Sequence, residues 1–113
     1  ITCFFYPYDY AQMAQAISGV TGHEFSIADI MAVGERAQHL CRLFNNREGF
    51  TSADDRLPKR VMQAFREGPL AGIEITEDAF LKARQTWYDL MGWTADGVPT
   101  PERLRKLGLD TLL

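Results

Sequence analysis

The feature that most constrains this chain is an unbroken stretch of helical periodicity between Ser26 and Gly49. Ser26 is a favoured N-cap residue, and Gly49 can supply the left-handed residue that commonly follows a helix. Between them, over about five turns, apolar or small residues recur at helical spacing: Ile27, Ile30, Met31, Gly34, Ala37, Cys41 and Phe44. The pattern predicts one long helix with this stripe buried. Because a mid-helix glycine is unfavourable, Gly34 indicates close approach of a neighbouring helix.

Similar start and stop signals divide the rest of the chain into helices. The predicted helices run from Tyr10 to Gly22, Ser26 to Gly49, Pro58 to Phe65, Thr76 to Gly92 and Thr100 to Gly108. The buried face of the fourth is predicted to be Phe80, Ala83, Trp87, Leu90 and Met91. No segment alternates like a strand. The sequence predicts an all-α fold, an irregular orthogonal bundle of about five helices in a single domain spanning residues 1–113.

Charge and composition exclude several classes of function. The 113 residues carry 12 basic and 15 acidic side chains, a net charge of −3, whereas duplex-binding domains usually present a basic patch. No apolar run approaches the length of a membrane span. Two cysteines are too few for a disulfide framework. We therefore expect no nucleic-acid partner, no membrane partner and a cytoplasmic location.

The residues able to carry chemistry are few. His23, His39, Cys3 and Cys41 could in principle form a four-ligand metal site, but His39 and Cys41 are two positions apart on a helix and point in different directions. His39 is predicted to lie on the surface, His23 in a loop, and Cys41 in the core. A zinc site is therefore not favoured.

Asp54 and Asp55 can be read in two ways. As paired carboxylates they could serve acid–base or metal chemistry. Adjacent acids in a polar loop more often bond nearby backbone N–H groups, and this structural interpretation is favoured. Arg47 and Arg60 could also pair with the two acids across the loop and hold it in place.

Cys3 lies in an apolar, aromatic segment, residues 1–6. Iron–sulfur clusters are held by thiolates inside an apolar shell, so Cys3 could be one member of such a set. From its residue type alone, a buried free thiol is the more common outcome.

Two groups of short motifs, each in a fixed order, are more specific than the patterns described so far. The first group comprises Gly34-Glu35-Arg36, Leu40, Arg42-Leu43-Phe44-Asn45, Arg47-Glu48-Gly49-Phe50 and Asp54-Asp55-Arg56-Leu57-Pro58. The second comprises Tyr88-Asp89-Leu90-Met91-Gly92-Trp93, Asp96-Gly97-Val98-Pro99-Thr100 and Lys106-Leu107-Gly108-Leu109. In order and relative spacing they resemble the C-terminal region of the tungsten-dependent aldehyde ferredoxin oxidoreductase family. The resemblance runs from about Cys3 to the end of the chain.

Members of that family are several times longer, so the resemblance implies the C-terminal fragment of a larger enzyme. That enzyme would oxidise aldehydes to carboxylic acids, using tungsten or molybdenum held by two pterin cofactors, and pass electrons through a 4Fe–4S cluster to ferredoxin. The other domains of the parent chain would be partners of this one. The fragment alone is expected to bind no cofactor and to be inactive. A homodimer is left open.

One functional residue carries over from the resemblance. Family members place a fourth cluster cysteine at the end of an Asp-x-x-Gly-Leu-Cys type motif, and Cys3 falls at that place with Phe5 two residues on. Thr2 and Ile1 stand where the motif has leucine and glycine. The resemblance thus implies Cys3 as a 4Fe–4S ligand in the full-length enzyme.

Two alternatives remain at this point. The chain could be a stand-alone helical interaction module that has kept the fold without the redox chemistry. It could also belong to a reductase of the same family that acts on another substrate, such as an aryl-CoA. The residues that would face a substrate lie in the upstream part of the family's members, so this sequence does not separate these alternatives.

Overall fold

The computed structural model describes residues 7–112, and these are mostly helical. The helices are α1 (Tyr10–Thr21), α2 (Ile27–Arg47), α3 (Glu77–Met91) and α4 (Pro101–Lys106), with short 3₁₀ helices at Lys59–Met62 and Asp110–Leu112. Within this range there is no β-strand, and only two isolated bridges join Phe65 to Ala71 and Trp93 to Pro99. The prediction of an all-α fold is confirmed. None of the helices in residues 7–112 is both long and apolar enough to cross a membrane.

The chain divides into two compact units, Ile1–Gln38 and His39–Leu113. In the first unit, Asp9 caps α1 by accepting a hydrogen bond from the Gln12 amide at 2.7 Å, and Gly22 ends the helix in the left-handed conformation. The Asp29 carboxylate accepts from the Ser26 amide at 2.8 Å where α2 begins, so the predicted boundary at Ser26 is correct.

In the second unit, α3 and α4 begin where the sequence predicts, and α3 also ends there. The Thr76 hydroxyl accepts from the Ala79 amide at 3.2 Å at the start of α3, and Gly92 ends that helix with φ of 67°. Thr100 caps α4 directly before Pro101. These boundaries are set by capping hydrogen bonds between residues close in sequence, so they can be identified without knowledge of the tertiary structure.

The helix predicted from Pro58 to Phe65 is shorter than expected. Only Lys59–Met62 is helical, as a single 3₁₀ turn, and Gln63 is already extended. The reason lies in the backbone of Phe65, whose amide donates to the Ile73 carbonyl at 3.2 Å and whose carbonyl accepts from the Gly72 amide at 2.9 Å. These bonds to the following loop replace those that a longer helix would make.

The buried side of α2 is the opposite of the predicted one. His39 and Arg42 are buried, with 0% and 5% of their surfaces exposed, and Glu35 and Asn46 on the same side are half-buried. Of the predicted apolar stripe only Ile30 is half-buried, and the other members are exposed: Ile27, Met31, Gly34, Ala37, Cys41 and Phe44. The burial predicted for Cys41 and the surface position predicted for His39 are both wrong. The polar side of α2 is buried because His39 and Arg42 make polar contacts with other segments, which are described below.

The buried face of α3 also differs from the predicted one, though by less than that of α2. Tyr88 and Met91 are buried and Phe80 is half-buried, as a core face requires. Ala83, Trp87 and Leu90 were predicted to share that face but are exposed, with Leu90 68% accessible. The inward line is instead Arg84, Tyr88 and Met91, which follow one another at spacings of four and three residues.

The remaining apolar core of the second unit lies at its C-terminal end. Leu104 of α4 is completely buried, and Leu109 after Gly108 is 5% exposed. Leu107, directly after α4, is half-buried. The close helix approach predicted from Gly34 is not observed, because, apart from the local backbone of α2, no described atom lies within 4 Å of the position of a Cβ there.

We expect Thr76→Ala to lower the free energy of unfolding by about 1 kcal/mol, because it removes the side-chain acceptor of the Ala79 amide. The matched control is Thr86→Ala on the same helix, whose hydroxyl bonds only to the Lys82 carbonyl within the helix. That variant should stay within about 0.5 kcal/mol of the parent. Chemical denaturation measures both, and equal losses would contradict the assignment of Thr76 as the cap.

Candidate functional site

A cluster of polar and aromatic side chains around Arg42 is the most elaborate arrangement in the second unit. We call Arg42, Asp55, Tyr88, Trp93 and Gly97 the Arg42 cluster. The Arg42 Nε donates to the Gly97 carbonyl at 2.5 Å, and Nη1 lies 2.9 and 2.7 Å from the two Asp55 carboxylate oxygens. One guanidinium therefore links α2 to the loop after it and to the turn that follows α3.

Two aromatic rings complete the surroundings of this guanidinium. The Arg42 Cζ lies 5.7 Å from the centroid of the Tyr88 ring and 5.1 Å from that of the Trp93 ring. A cation at these distances is attracted by the ring faces, and more strongly where water is excluded. The rings themselves pack together with centroids 5.6 Å apart. The cluster thus pairs the charge of Arg42 with a carboxylate, a carbonyl and two π systems.

Asp55 receives hydrogen bonds from two side chains. Besides Arg42, the Tyr88 hydroxyl donates to its Oδ2. Partial burial alone would raise the pKa of the Asp55 carboxyl, but the hydrogen bonds from Arg42 and Tyr88 and the charges of Arg42 and Arg84 outweigh it and lower that pKa. Burial and the Asp55 carboxylate raise the pKa of the Tyr88 hydroxyl. Asp55 is therefore held as the anion, and Tyr88 as the neutral donor.

Arg84 of α3 fixes the loop that carries Asp55. Its Nη1 donates to the Ser52 carbonyl at 2.6 Å and to the Asp55 carbonyl at 3.2 Å. Its guanidinium also lies 5.7 Å from the centroid of the Tyr88 ring, which Arg42 contacts as well. The 51–56 loop is thus bound from α2 through its carboxylate and from α3 through its backbone.

Gly97 is a position that only glycine fits. Its amide closes a turn by donating to the Thr94 carbonyl at 2.8 Å, and its φ is 73°, in the left-handed region. A Cβ at this residue would overlap the Arg42 guanidinium and lie 3.0 Å from the Tyr88 hydroxyl. The glycine therefore allows Arg42 to reach the backbone of the turn.

His39 is the second polar residue that α2 buries. Its Nε2 lies 3.0 Å from the Met91 carbonyl, and its ring meets that of Trp93 edge to face with centroids 5.8 Å apart. A carbonyl oxygen only accepts, so Nε2 carries the hydrogen in this contact. His39 is thus a packed helix-end contact and not a surface residue.

The two adjacent acids have different partners. Asp54 accepts from the Thr51 amide at 2.9 Å, which is the local turn contact favoured from the sequence. Asp55 pairs with Arg42, whereas Arg47 bonds to Glu48 on the surface at 3.3 Å. The suggested partners Arg47 and Arg60 were therefore the wrong arginines. The contributions of Arg42, Arg84 and Gly97 to this cluster were not predicted from the sequence. One signal was present in the sequence, because polar residues recur on one side of α2 at spacings of four, three and four: Glu35, His39, Arg42 and Asn46.

The described residues do not assemble a metal site. Nowhere in residues 7–112 do three histidine, cysteine or acidic side chains come close enough together to hold a metal ion. His39 is buried, whereas Cys41 is exposed, and His23 is exposed before α2. Cys3, the predicted cluster ligand, lies outside the described residues. The charges of the Arg42 cluster bind segments of the chain to one another, which is a structural role.

Comparison with known proteins identifies relatives over almost the whole chain. The family described as "Aldehyde ferredoxin oxidoreductase, domains 2 & 3" matches residues 1–109. The tungsten-containing aldehyde ferredoxin oxidoreductases of Pyrococcus abyssi and Thermococcus kodakarensis are each 36% identical over 107 residues, which is 93% of this chain and 17% of those proteins. The chain therefore spans about one sixth of the length of these relatives.

A solved structure has a similar fold. It is the active-site complex BamBC of benzoyl coenzyme A reductase with 1,5-dienoyl-CoA, and the match has a TM-score of 0.75 at 25% identity. It covers 94% of this chain and 15% of the solved chain. The helical arrangement thus also occurs as a small part of a large reductase subunit.

Gly97→Ala should destabilise the protein more than Gly108→Ala. Both glycines have positive φ, 73° and 66°, so alanine costs roughly 1 kcal/mol of backbone strain at either position. Only at Gly97 does the added methyl overlap Arg42, and overpacking adds roughly 1–3 kcal/mol. Denaturant unfolding of the two variants measures the difference, and similar losses would show that Arg42 does not depend on this glycine.

Asp55→Asn should remove part of the acid sensitivity of the fold. Because the folded pKa of Asp55 is lowered, its ion pair contributes stability above its unfolded pKa of about 3.9 and loses that contribution as the pH falls through the folded value. The stability difference between parent and variant should therefore shrink from neutral pH to about pH 3. Unfolding curves across this range measure it, with Asp54→Asn as the control. A difference independent of pH would contradict the ion pair.

Proposed function

Because this chain belongs to the aldehyde ferredoxin oxidoreductase family, we propose that it is the C-terminal helical domain of a tungsten- or molybdenum-pterin oxidoreductase. The parent enzyme would oxidise aldehydes to carboxylic acids and pass the electrons to ferredoxin. The observation that carries this proposal is the family match over residues 1–109, together with relatives that share 36% identity across 93% of the chain.

The number of cysteines in this chain limits how many ligands it can supply to the iron–sulfur cluster of the enzyme. A 4Fe–4S cluster takes four thiolates, whereas the chain has two cysteines, Cys3 and Cys41. Cys41 lies on α2, away from any group of metal donors in the described range. Cys3 is then the one thiol of this chain that we propose as a ligand, with the other three supplied by the rest of the parent chain. The cluster, when bound, supplies one-electron transfer between the pterin site and the acceptor.

The described residues would act as a support for the enzyme and not as its reacting groups. Arg42 holds the Gly97 turn and the Asp55 loop, and Arg84 holds the backbone of that same loop. These contacts hold the Gly97 turn and the 51–56 loop against α2, and the same loop against α3, without using a nucleophile or an exposed acid. We expect the isolated domain to have no oxidoreductase activity, and the full-length protein to contain the pterin-binding part.

A reductase acting on an aryl-CoA is the second candidate within the family. The benzoyl-CoA reductase complex, with its TM-score of 0.75, is compatible with this candidate but does not favour it over aldehyde oxidation. The two differ in substrate and in the direction of electron flow. Assays of the full-length protein with aldehydes plus oxidised ferredoxin, and with aryl-CoA plus a reductant, separate them.

Metal analysis of the full-length protein tests the proposal directly. The protein is produced anaerobically with tungstate and molybdate, and tungsten, molybdenum and iron are quantified per chain. We expect about one tungsten or molybdenum and about four irons, the content of one pterin site and one 4Fe–4S cluster. A folded full-length protein without these metals would contradict the proposal and favour an interaction module.

Cys3→Ala in the full-length enzyme should lower the iron content and abolish the absorbance of the cluster, because a 4Fe–4S cluster loses one of four thiolate ligands. Cys41→Ala is the matched control, since it removes the other thiol of this chain and should leave the iron unchanged. Iron analysis and visible spectroscopy under anaerobic conditions provide the measurement. Full iron content in the Cys3 variant would rule out this residue as a ligand.

A further inference from the structure

Helix α2 exposes apolar side chains on the side opposite its buried polar residues. Leu40 and Phe44 are 44% and 55% exposed, and Cys41 between them is also exposed. We call these three residues the outer stripe of α2. Leu40 and Phe44, with Leu43 and Arg47, line an open depression of about 390 Å³. The Arg47 guanidinium lies 5.2 Å from the Phe44 ring centroid and is the charged group among the described residues that line this depression.

This orientation is unusual for a helix at a protein surface. An amphipathic helix normally turns its apolar stripe to the core and its charges to water. Here His39 and Arg42 on the inner side have partners within the second unit, at Met91, Gly97 and Asp55. The helix cannot rotate to bury the outer stripe without breaking those contacts. The stripe is thus kept outward by the polar contacts behind it, and exposed apolar surface of this kind marks a contact surface.

Helix α3 adds a second observation of the same kind. Trp87 and Leu90 are 48% and 68% exposed, one and two positions away from buried Tyr88. Aromatic side chains such as Trp87 are enriched at the buried centre of an interface. Both long helices that contribute to the second unit therefore leave apolar residues unburied within it.

We propose that the outer stripe of α2 packs against the cofactor-binding remainder of the same polypeptide. This inference rests on the proposed function, because it takes the chain to be one domain of a longer enzyme. The lengths of the relatives favour this occupant, because the chain covers only 15–17% of their length and most of each relative's polypeptide has no counterpart in these residues. A contact within one polypeptide can be permanently dry, which suits an uncharged stripe centred on Leu40, Cys41 and Phe44.

Alkylation of Cys41 measures the packing at the centre of the stripe. The full-length protein is treated with iodoacetamide, with and without denaturant, and the Cys41 peptide is quantified by mass spectrometry. We expect modification at least about tenfold slower in the native protein, because a buried site reacts only when it opens. The protection should not change over about a hundredfold range of protein concentration, since a contact within one chain does not follow mass action.

Substitutions in the stripe provide an independent arm of the experiment. Leu40→Asp and Phe44→Asp place a charge in the proposed contact and should raise the Cys41 alkylation rate by about tenfold or more, since an uncompensated charge opposes burial. Gln63→Asp is the matched control, because it places the same residue at an exposed polar position outside α2 and outside the stripe. It should leave the rate unchanged. If the stripe variants do not fold, the unsubstituted protein still gives the decisive comparison.

Two outcomes would overturn the inference. Native Cys41 that reacts as fast as in denaturant at every concentration would show that nothing covers the stripe. Protection that disappears on dilution would assign the stripe to a second copy of the chain. Metal analysis of the same preparation separates this result from the proposed function. Protected Cys41 in a protein without tungsten, molybdenum and iron would refute the proposed enzyme and retain the packing within the polypeptide.

Discussion

The burial of one arginine determines how the second unit is arranged. Removing a guanidinium from water is costly, and much of the cost is offset when the charge is paired and its N–H groups have acceptors. Arg42 pairs with the Asp55 carboxylate and donates to the Gly97 carbonyl. It also contacts the rings of Tyr88 and Trp93, whereas its Nη2 is buried without an acceptor among the described residues. These partners lie in the loop after α2, in α3 and in the turn after α3, so all three segments are positioned by contacts with the same charge.

The same requirement explains why the apolar side of α2 faces outward. With His39 bonded to the Met91 carbonyl and Arg42 to Asp55, the inner side of the helix is polar and has partners. Leu40 and Phe44, about a third of a turn or more from that side, then have no place in the second unit. The relatives are about six times as long as this chain, and the proposed contact of the outer stripe with the rest of such a polypeptide would bury these side chains.

The sequence predicted the helix boundaries far better than the buried faces. Ser26, Thr76, Gly22 and Gly92 act through bonds within a few residues, so their roles could be recognised from local chemistry. The burial of His39 and Arg42, which leaves Cys41 exposed, depends on partners 50 or more positions away, and a hydrophobic pattern does not identify those partners. The two adjacent acids show the same division, because the local turn contact of Asp54 was predictable and the ion pair of Asp55 with Arg42 was not. Cys3, the one predicted ligand, lies outside the described residues and stays a prediction.

The bond between His39 and the Met91 carbonyl also constrains the length of α3. The last carbonyls of a helix have no donor within it, and here one of them takes its hydrogen from a residue 52 positions earlier in the chain. Adding or removing one residue within α3 would rotate that carbonyl by about 100° away from the histidine. The segment between Met62 and Thr76, which makes no such long-range bond in the described contacts, has no equivalent restriction. Insertions and deletions among relatives should therefore accumulate before α3, while the number of residues between Thr76 and Gly92 stays constant.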